Sequence, residues 1–200
     1  MGAHFSCLVL HGYGGAPADL GPVTRALQAK GVRVEAPCLP GHGLDEQAFA
    51  RSRFQHWLAA AEEELHKLLP QGPCILIGLS MGGSLALALA QRYALMGVVT
   101  IASPVFLYRF LPWQGASRLL PLVPWLRFIR PVLRVPSPPA ESRDIAPHYG
   151  YEGFQALHPL TSFLQGLKSV RQGLHLVSAP ILILHSPQDQ TVPVANAWSI

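Results

Sequence analysis

The chain has 200 residues, half of them hydrophobic and 13% charged, which fits one globular domain and excludes a disordered tail or a solvated array of charged helices. Its formal net charge is +4, yet five arginines between Pro104 and Ala140 (109, 118, 127, 130 and 134), with no acid among them, hold the whole surplus; the remainder carries ten bases against eleven acids. A nucleic-acid partner is therefore not expected, since a basic face on the folded domain and a recognition motif are both missing.

No apolar run reaches the roughly 18 residues of a membrane span. The first eleven residues lack the basic start and long apolar core of a secretory signal, so a cytoplasmic location is the expectation. Cys7, Cys38 and Cys74 are odd in number, widely spaced and without a zinc pattern, so neither a disulfide framework nor a metal site is expected.

In chain order, Phe5 to Leu10 is a short apolar run that reads as a buried parallel strand, ending at His11-Gly12-Tyr13-Gly14-Gly15. Asp19 to Lys30 has apolar residues at helical spacing and Gly31 as its stop. Val32 to Ala36 reads as a second strand, followed by the loop Pro37 to Gly43. Phe54 to Leu69 predicts a helix with Trp57, Leu58, Ala61, Leu65 and Leu68 on one face, stopped by Pro70 and Gly72. Cys74 to Gly78 reads as a third strand, Gly83 to Tyr93 as an apolar and therefore buried helix, and Gly97 to Ala102 as a fourth strand. Alternating strands and helices imply a parallel sheet with right-handed crossovers. From Pro104 to about Gln172 the pattern breaks, with prolines at 104, 112, 121, 124, 131, 136, 138 and 139, and a lid of short helices is expected. Ile181 to His185 reads as a fifth strand.

Three motifs carry chemistry. Gly78-Leu79-Ser80-Met81-Gly82 stands between an apolar strand and an apolar helix, the setting of a nucleophile elbow. The turn is so tight that side chains two before and two after Ser80 would collide. It presents Ser80 Oγ at a helix N-terminus, where free N–H groups and the dipole favour developing negative charge. The bland alternative is a serine that merely caps a helix. His11 to Gly15 follows the first strand, and its glycines allow close backbone approach. Acyl transfer needs two backbone donors for the oxyanion; Met81 N–H and Tyr13 N–H are the candidates, against an ordinary glycine-rich turn. A phosphate-binding loop would need a Lys-Ser/Thr pair where Ala16-Pro17 stands. His11 precedes the donor and reads as a structural loop residue. Asp189, four residues past the fifth strand and the only acid after Glu152, suits the orientation of an imidazole; the alternative is an Asx-turn residue.

These residues resemble the α/β-hydrolase superfamily, and within it the small bacterial carboxylesterases and monoacylglycerol-lipase-like enzymes. His11-Gly12-Tyr13-Gly14-Gly15, Pro40-Gly41-His42-Gly43, the Ser80 elbow and Asp189-Gln190-Thr191-Val192-Pro193 stand in the family's order over nearly the whole chain. The resemblance implies an α/β fold: a mostly parallel sheet flanked by helices, with core residues 1–103, a lid at 104–172, and the core resumed at 173–200. It implies Ser80 as nucleophile, Asp189 as triad acid, Tyr13 and Met81 as oxyanion donors, and no cofactor. Tyr13, His42 at the pocket entrance, and Phe106, Tyr108, Trp113 and Trp125 of the lid are expected to line the substrate site.

The family's histidine lies a few tens of residues past the acid, after one more strand, whereas the sequence ends at Ile200. A chain truncated before its catalytic histidine, with the last strand and helix missing, is therefore expected. His42, His148, His158, His175 and His185 read as loop or surface residues. The expected activity is hydrolysis of small or medium-chain esters, with a monoacylglycerol lipase or thioesterase as one alternative and an inactive fragment or non-catalytic binding module as another. The lid's apolar residues either pack on the sheet or, with its arginines, meet an anionic lipid surface peripherally.

Overall fold

The computed structural model describes residues 4–43, 46–107, 125, 128, 132–134, 154–189 and 191–200. Its centre is a five-stranded parallel sheet in the order β2-β1-β3-β4-β7, from β1 (Ser6–Leu10), β2 (Arg33–Glu35), β3 (Cys74–Leu79), β4 (Gly97–Ile101) and β7 (Ile181–Leu184). Leu8 sits opposite Leu76, Ile77 opposite Val99, and Ile101 opposite Leu184. Parallel strands cannot be joined by hairpins, so each pair needs a crossover. The described helices among these are α1 (Gly21–Ala29), α2 (Glu46–Arg51), α3 (Phe54–Leu68), α4 (Met81–Ala90) and α5 (Leu157–Gln172).

Strand alternation builds a core on each side of the sheet. Leu8, Leu10 and Leu76 join the larger cluster with Trp57, Ala61 and Leu65 of α3, Leu85 and Leu89 of α4, and Leu160, Phe163 and Leu167 of α5. Cys7, Val9 and Ile77 face the other way, against Leu20, Val32 and α1 residues Val23 and Leu27. Every residue of α4 is buried, and each of its fully covered leucines is worth about 1.5–3 kcal/mol relative to exposure.

The elements follow the sequence pattern, with several differences. Pro22 sits in the first turn of α1, where its missing N–H costs nothing, so Pro17–Leu20 forms a separate 3₁₀ turn and the helix proper begins at Gly21. The α4 helix begins immediately after Ser80 rather than at Gly83. The largest difference is α5, one sixteen-residue helix in a region expected to hold only short ones. Its single proline, Pro159, is the third residue, still within the first turn and so compatible with the helix. Leu157, Leu160, Phe163, Leu167 and Val170 then recur at helical spacing and turn into the core. Gly166 lets α5 approach the Phe54 ring, where a Cβ would collide. Ser162 Oγ accepts the Phe54 N–H at 3.1 Å, satisfying an amide at the start of α3 from across the chain. β5 (Val132–Arg134) and β6 (Phe154–Ala156) add a separate antiparallel ladder that the sequence pattern did not predict.

Candidate active site

The strand order reverses between β1 and β3: the chain leaves β1 for β2 on one side and returns to place β3 on the other. Open parallel sheets bind ligands at the carboxyl ends of their strands beside such a switch point. Both glycine-rich turns lie there.

Ser80 links β3 to α4 with φ 51 and ψ −118, a conformation non-glycine residues rarely adopt. The flanking residues make it feasible. A Cβ on Gly78 would collide with the Gly82–Gly83 backbone, and one on Gly82 with the Leu10 carbonyl. A Cβ on Gly83 would strike Ser103 Oγ, which itself donates toward the Ile101 and Gly78 carbonyls at 3.2 and 3.4 Å. The Ser80 N–H donates to Ile101 O at 2.8 Å, while Ser80 O accepts from Gly83 N–H at 3.0 Å. Met81 is the first residue of α4, so its N–H has no acceptor within the helix.

The loop after β1 packs onto this elbow: a Cβ built on Gly12 would lie 3.4 Å from Ser80 Cβ. The next residue, Tyr13, is held from three directions. Its hydroxyl donates to Ala156 O at 3.2 Å, its ring stacks on Phe163 at 5.6 Å, and it meets Trp57 edge-on at 5.7 Å. Both ring nitrogens of His11 are on backbone groups, Nδ1 with Gly12 O at 2.9 Å and Nε2 with Leu39 N–H at 3.0 Å. Burial lowers its pKa.

On the other side, Ala102 N–H donates to Leu184 O at 2.8 Å, tying the ends of β4 and β7 together. Asp189 lies past β7. Its Oδ1 accepts Thr191 N–H at 2.8 Å and Val192 N–H at 2.9 Å, an Asx-type turn that fixes the carboxylate. Oδ2 is 3.6 Å from His185 Nε2, which donates to Val192 O at 2.9 Å. β3 and β7, the strands that lead into Ser80 and toward Asp189, are two strand spacings apart, about 10 Å.

The expected substrate-lining residues fare differently. His42 was expected at the pocket entrance, but it is 4% exposed and enclosed by His11, Phe49 and Trp57, with its Nδ1 on the Leu39 and Pro40 carbonyls. Its apolar and aromatic neighbours hold the ring inside the loop rather than at the surface. Phe106 is half-buried under the Arg171 guanidinium at 5.5 Å. Trp125 is 74% exposed, and Tyr108 and Trp113 lie outside the described residues. Asn196 had no sequence signal, yet it is fully buried. Its Oδ1 accepts Val105 and Phe106 N–H at 2.7 and 2.9 Å, anchoring the chain after β4. Among the described residues no helix is long and apolar enough to cross a membrane, and no group of three His, Cys, Asp or Glu is arranged to hold a metal ion.

A family model described as serine aminopeptidase, S33, matches residues 3–200. The thermostable monoacylglycerol lipase of Bacillus sp. (strain H-257) is 31% identical over 195 residues, covering 95% of this chain and 72% of that protein. A carboxylesterase of Bacillus subtilis (strain 168) is 27% identical over 106 residues, covering 52% of this chain and 43% of that protein. A solved structure from work on LipS and LipT, two metagenome-derived lipolytic enzymes, superposes with a TM-score of 0.82 at 22% identity, over 100% of this chain and 79% of that one.

Proposed function

The chain belongs to the S33 family of α/β-hydrolases and is a serine hydrolase of the esterase and lipase type; from that premise we propose that it hydrolyses monoacylglycerol-like carboxylic esters through an acyl-enzyme on Ser80. The observation that carries this reading is the elbow itself. Ser80 sits at φ 51 at the start of a buried helix, with Gly12 packed against it. In the first step an imidazole takes the Ser80 Oγ proton, and Oγ adds to the ester carbonyl carbon. The carbonyl electron pair moves onto its oxygen, facing the Tyr13 and Met81 N–H groups. The tetrahedral intermediate collapses, the C–O bond to the alcohol breaks, and the imidazolium gives its proton to the leaving oxygen. Water, deprotonated by the same imidazole, then adds to the acyl carbon; the bond from that carbon to Ser80 Oγ breaks, the imidazolium returns its proton to Oγ, and the acid leaves. Asp189 orients the imidazole through Oδ2, since its Oδ1 is already on two backbone amides. His11 has both ring nitrogens on backbone groups, while His42 holds Nδ1 on two carbonyls and His185 holds Nε2 on the Val192 carbonyl, each with its other nitrogen buried and without a hydrogen-bond partner; our reading places the base on none of the three.

The monoacylglycerol class rests on the activity for which the Bacillus relative is named. A peptidase reading has the family model's description in its favour. A panel of 1-monolauroylglycerol, p-nitrophenyl butyrate, a butyryl thioester and an aminoacyl-p-nitroanilide separates them. The expected order places the two oxygen esters first, with activity falling at least 10³-fold in Ser80→Ala. Faster cleavage of the anilide than of either ester would replace the lipase reading with the peptidase one.

A further inference from the structure

We propose that His11 is a positioning residue that aims the oxyanion-binding amide of Tyr13 by clamping the opposite edge of the same peptide group. This rests on the reading of Ser80 and Tyr13 given above. The carbonyl of Gly12 and the N–H of Tyr13 belong to one planar trans peptide and point in opposite directions. Fixing the oxygen therefore fixes the direction of the amide.

That oxygen is held twice, by His11 Nδ1 at 2.9 Å and by the Gly15 N–H at 3.0 Å. The proton must be on Nδ1, because the other ring nitrogen faces a backbone N–H that only donates. Leu39 N–H reaches Nε2 at 3.0 Å. The ring thus bridges two loops, taking a hydrogen bond from one and giving it to the other, with His11 itself buried.

The far loop is anchored in turn. Trp57 Nε1 donates to Pro40 O at 2.9 Å, and His42 N–H donates to Leu39 O at 3.0 Å. This gives the Pro40-Gly41-His42-Gly43 motif a task that substrate contact does not supply. It carries the rigidity of α3, through Leu39 and the His11 ring, to the peptide facing Ser80. Gly41, at φ 80 and pressed against the Ala48 carbonyl, makes the sharp turn that brings Leu39 and His42 side by side.

Two substitutions separate the halves of the bridge. Asparagine places an N–H where Nδ1 stands and keeps the bond to Gly12 O, but it is too short to reach Leu39. Glutamine reaches the Leu39 amide and leaves Gly12 O without its side-chain donor. With protein expressed from the whole reading frame, kcat and KM for p-nitrophenyl butyrate, fluorophosphonate labelling of Ser80, and melting temperatures are measured for wild type, His11→Asn and His11→Gln. Losing a whole oxyanion donor costs roughly 10²–10³ in kcat, so misaiming one is expected to lower kcat about tenfold in His11→Gln with KM within about twofold. His11→Asn is expected to stay within about threefold of wild type, although both variants melt lower. The clamp is overturned if wild type labels at Ser80 and the two variants lose kcat equally in step with their melting temperatures, or if His11→Gln keeps wild-type kcat. Absence of label on wild-type Ser80 overturns the acyl-enzyme reading itself, and the clamp falls with it.

Discussion

Ser80 holds a backbone conformation that costs a non-glycine residue about 1–3 kcal/mol, and the glycines around it decide whether the chain can bear that cost. Gly82 approaches the Leu10 carbonyl so closely that alanine there forces two backbone segments apart. Gly82→Ala is expected to destabilise the fold by about 2–4 kcal/mol in urea unfolding and to abolish fluorophosphonate labelling. Unchanged stability would mean that the contact between β1 and α4 yields easily. This part of the site was legible in the sequence because sterics demand glycine at those offsets. The bond between His11 and Leu39 joins residues 28 apart, and nothing in the linear pattern links them.

His42 shows how burial rewrites a residue's chemistry. Desolvation first, then the neighbouring His11 ring, pushes its imidazole down to about 4, against two backbone carbonyls that raise it. The unfolded chain, with an ordinary histidine near 6.5, binds the proton that the folded chain refuses. Stability from this residue is therefore present above about pH 6.5 and is lost as the pH falls toward 4, by roughly 3 kcal/mol in all. Denaturation midpoints in urea across that window should fall more steeply for wild type than for His42→Leu. Parallel curves would show that the buried ring does not govern the acid sensitivity.

At the scale of elements, α3, β3, β4 and β7 could be read from the chain because strand and helix periods were uninterrupted and glycine or proline marked their ends. α2 was missed since six residues with one buried side chain, Phe49, make no period. α5 was hidden by the proline-rich stretch before it, though its own apolar spacing is clear. Phe163, on α5, stacks on both Tyr13 and Phe54. Phe163→Ala is expected to cost about 3–5 kcal/mol of stability, and with the Tyr13 stack gone, to lower kcat more than it raises KM. An undiminished kcat would show that the hydroxyl bond to Ala156 holds Tyr13 without help from the ring.

Across the whole molecule, the sheet sets the distances: the loops after β1, β3 and β7 meet at one edge because those strands lie within three spacings of each other. The net charge follows a different logic, concentrated in the five arginines between 104 and 140. Trp125 and Phe128, 74% and 71% exposed, lie in that same segment. Aromatic and basic side chains together favour an anionic bilayer surface, and salt screens that attraction. Co-sedimentation with phosphatidylglycerol vesicles is expected to exceed that with phosphatidylcholine and to weaken in 0.5 M salt and in Trp125→Ala; equal binding to both would remove the surface role.

The central claim is that Ser80 is an activated nucleophile, and the most direct test maps covalent adducts by mass spectrometry after fluorophosphonate treatment of protein expressed from its whole reading frame. The expected result is one phosphonyl group per chain, on the peptide containing Gly78-Leu79-Ser80-Met81-Gly82, and none in Ser80→Ala. A chain that stays unmodified, or an adduct on any other residue, would contradict it.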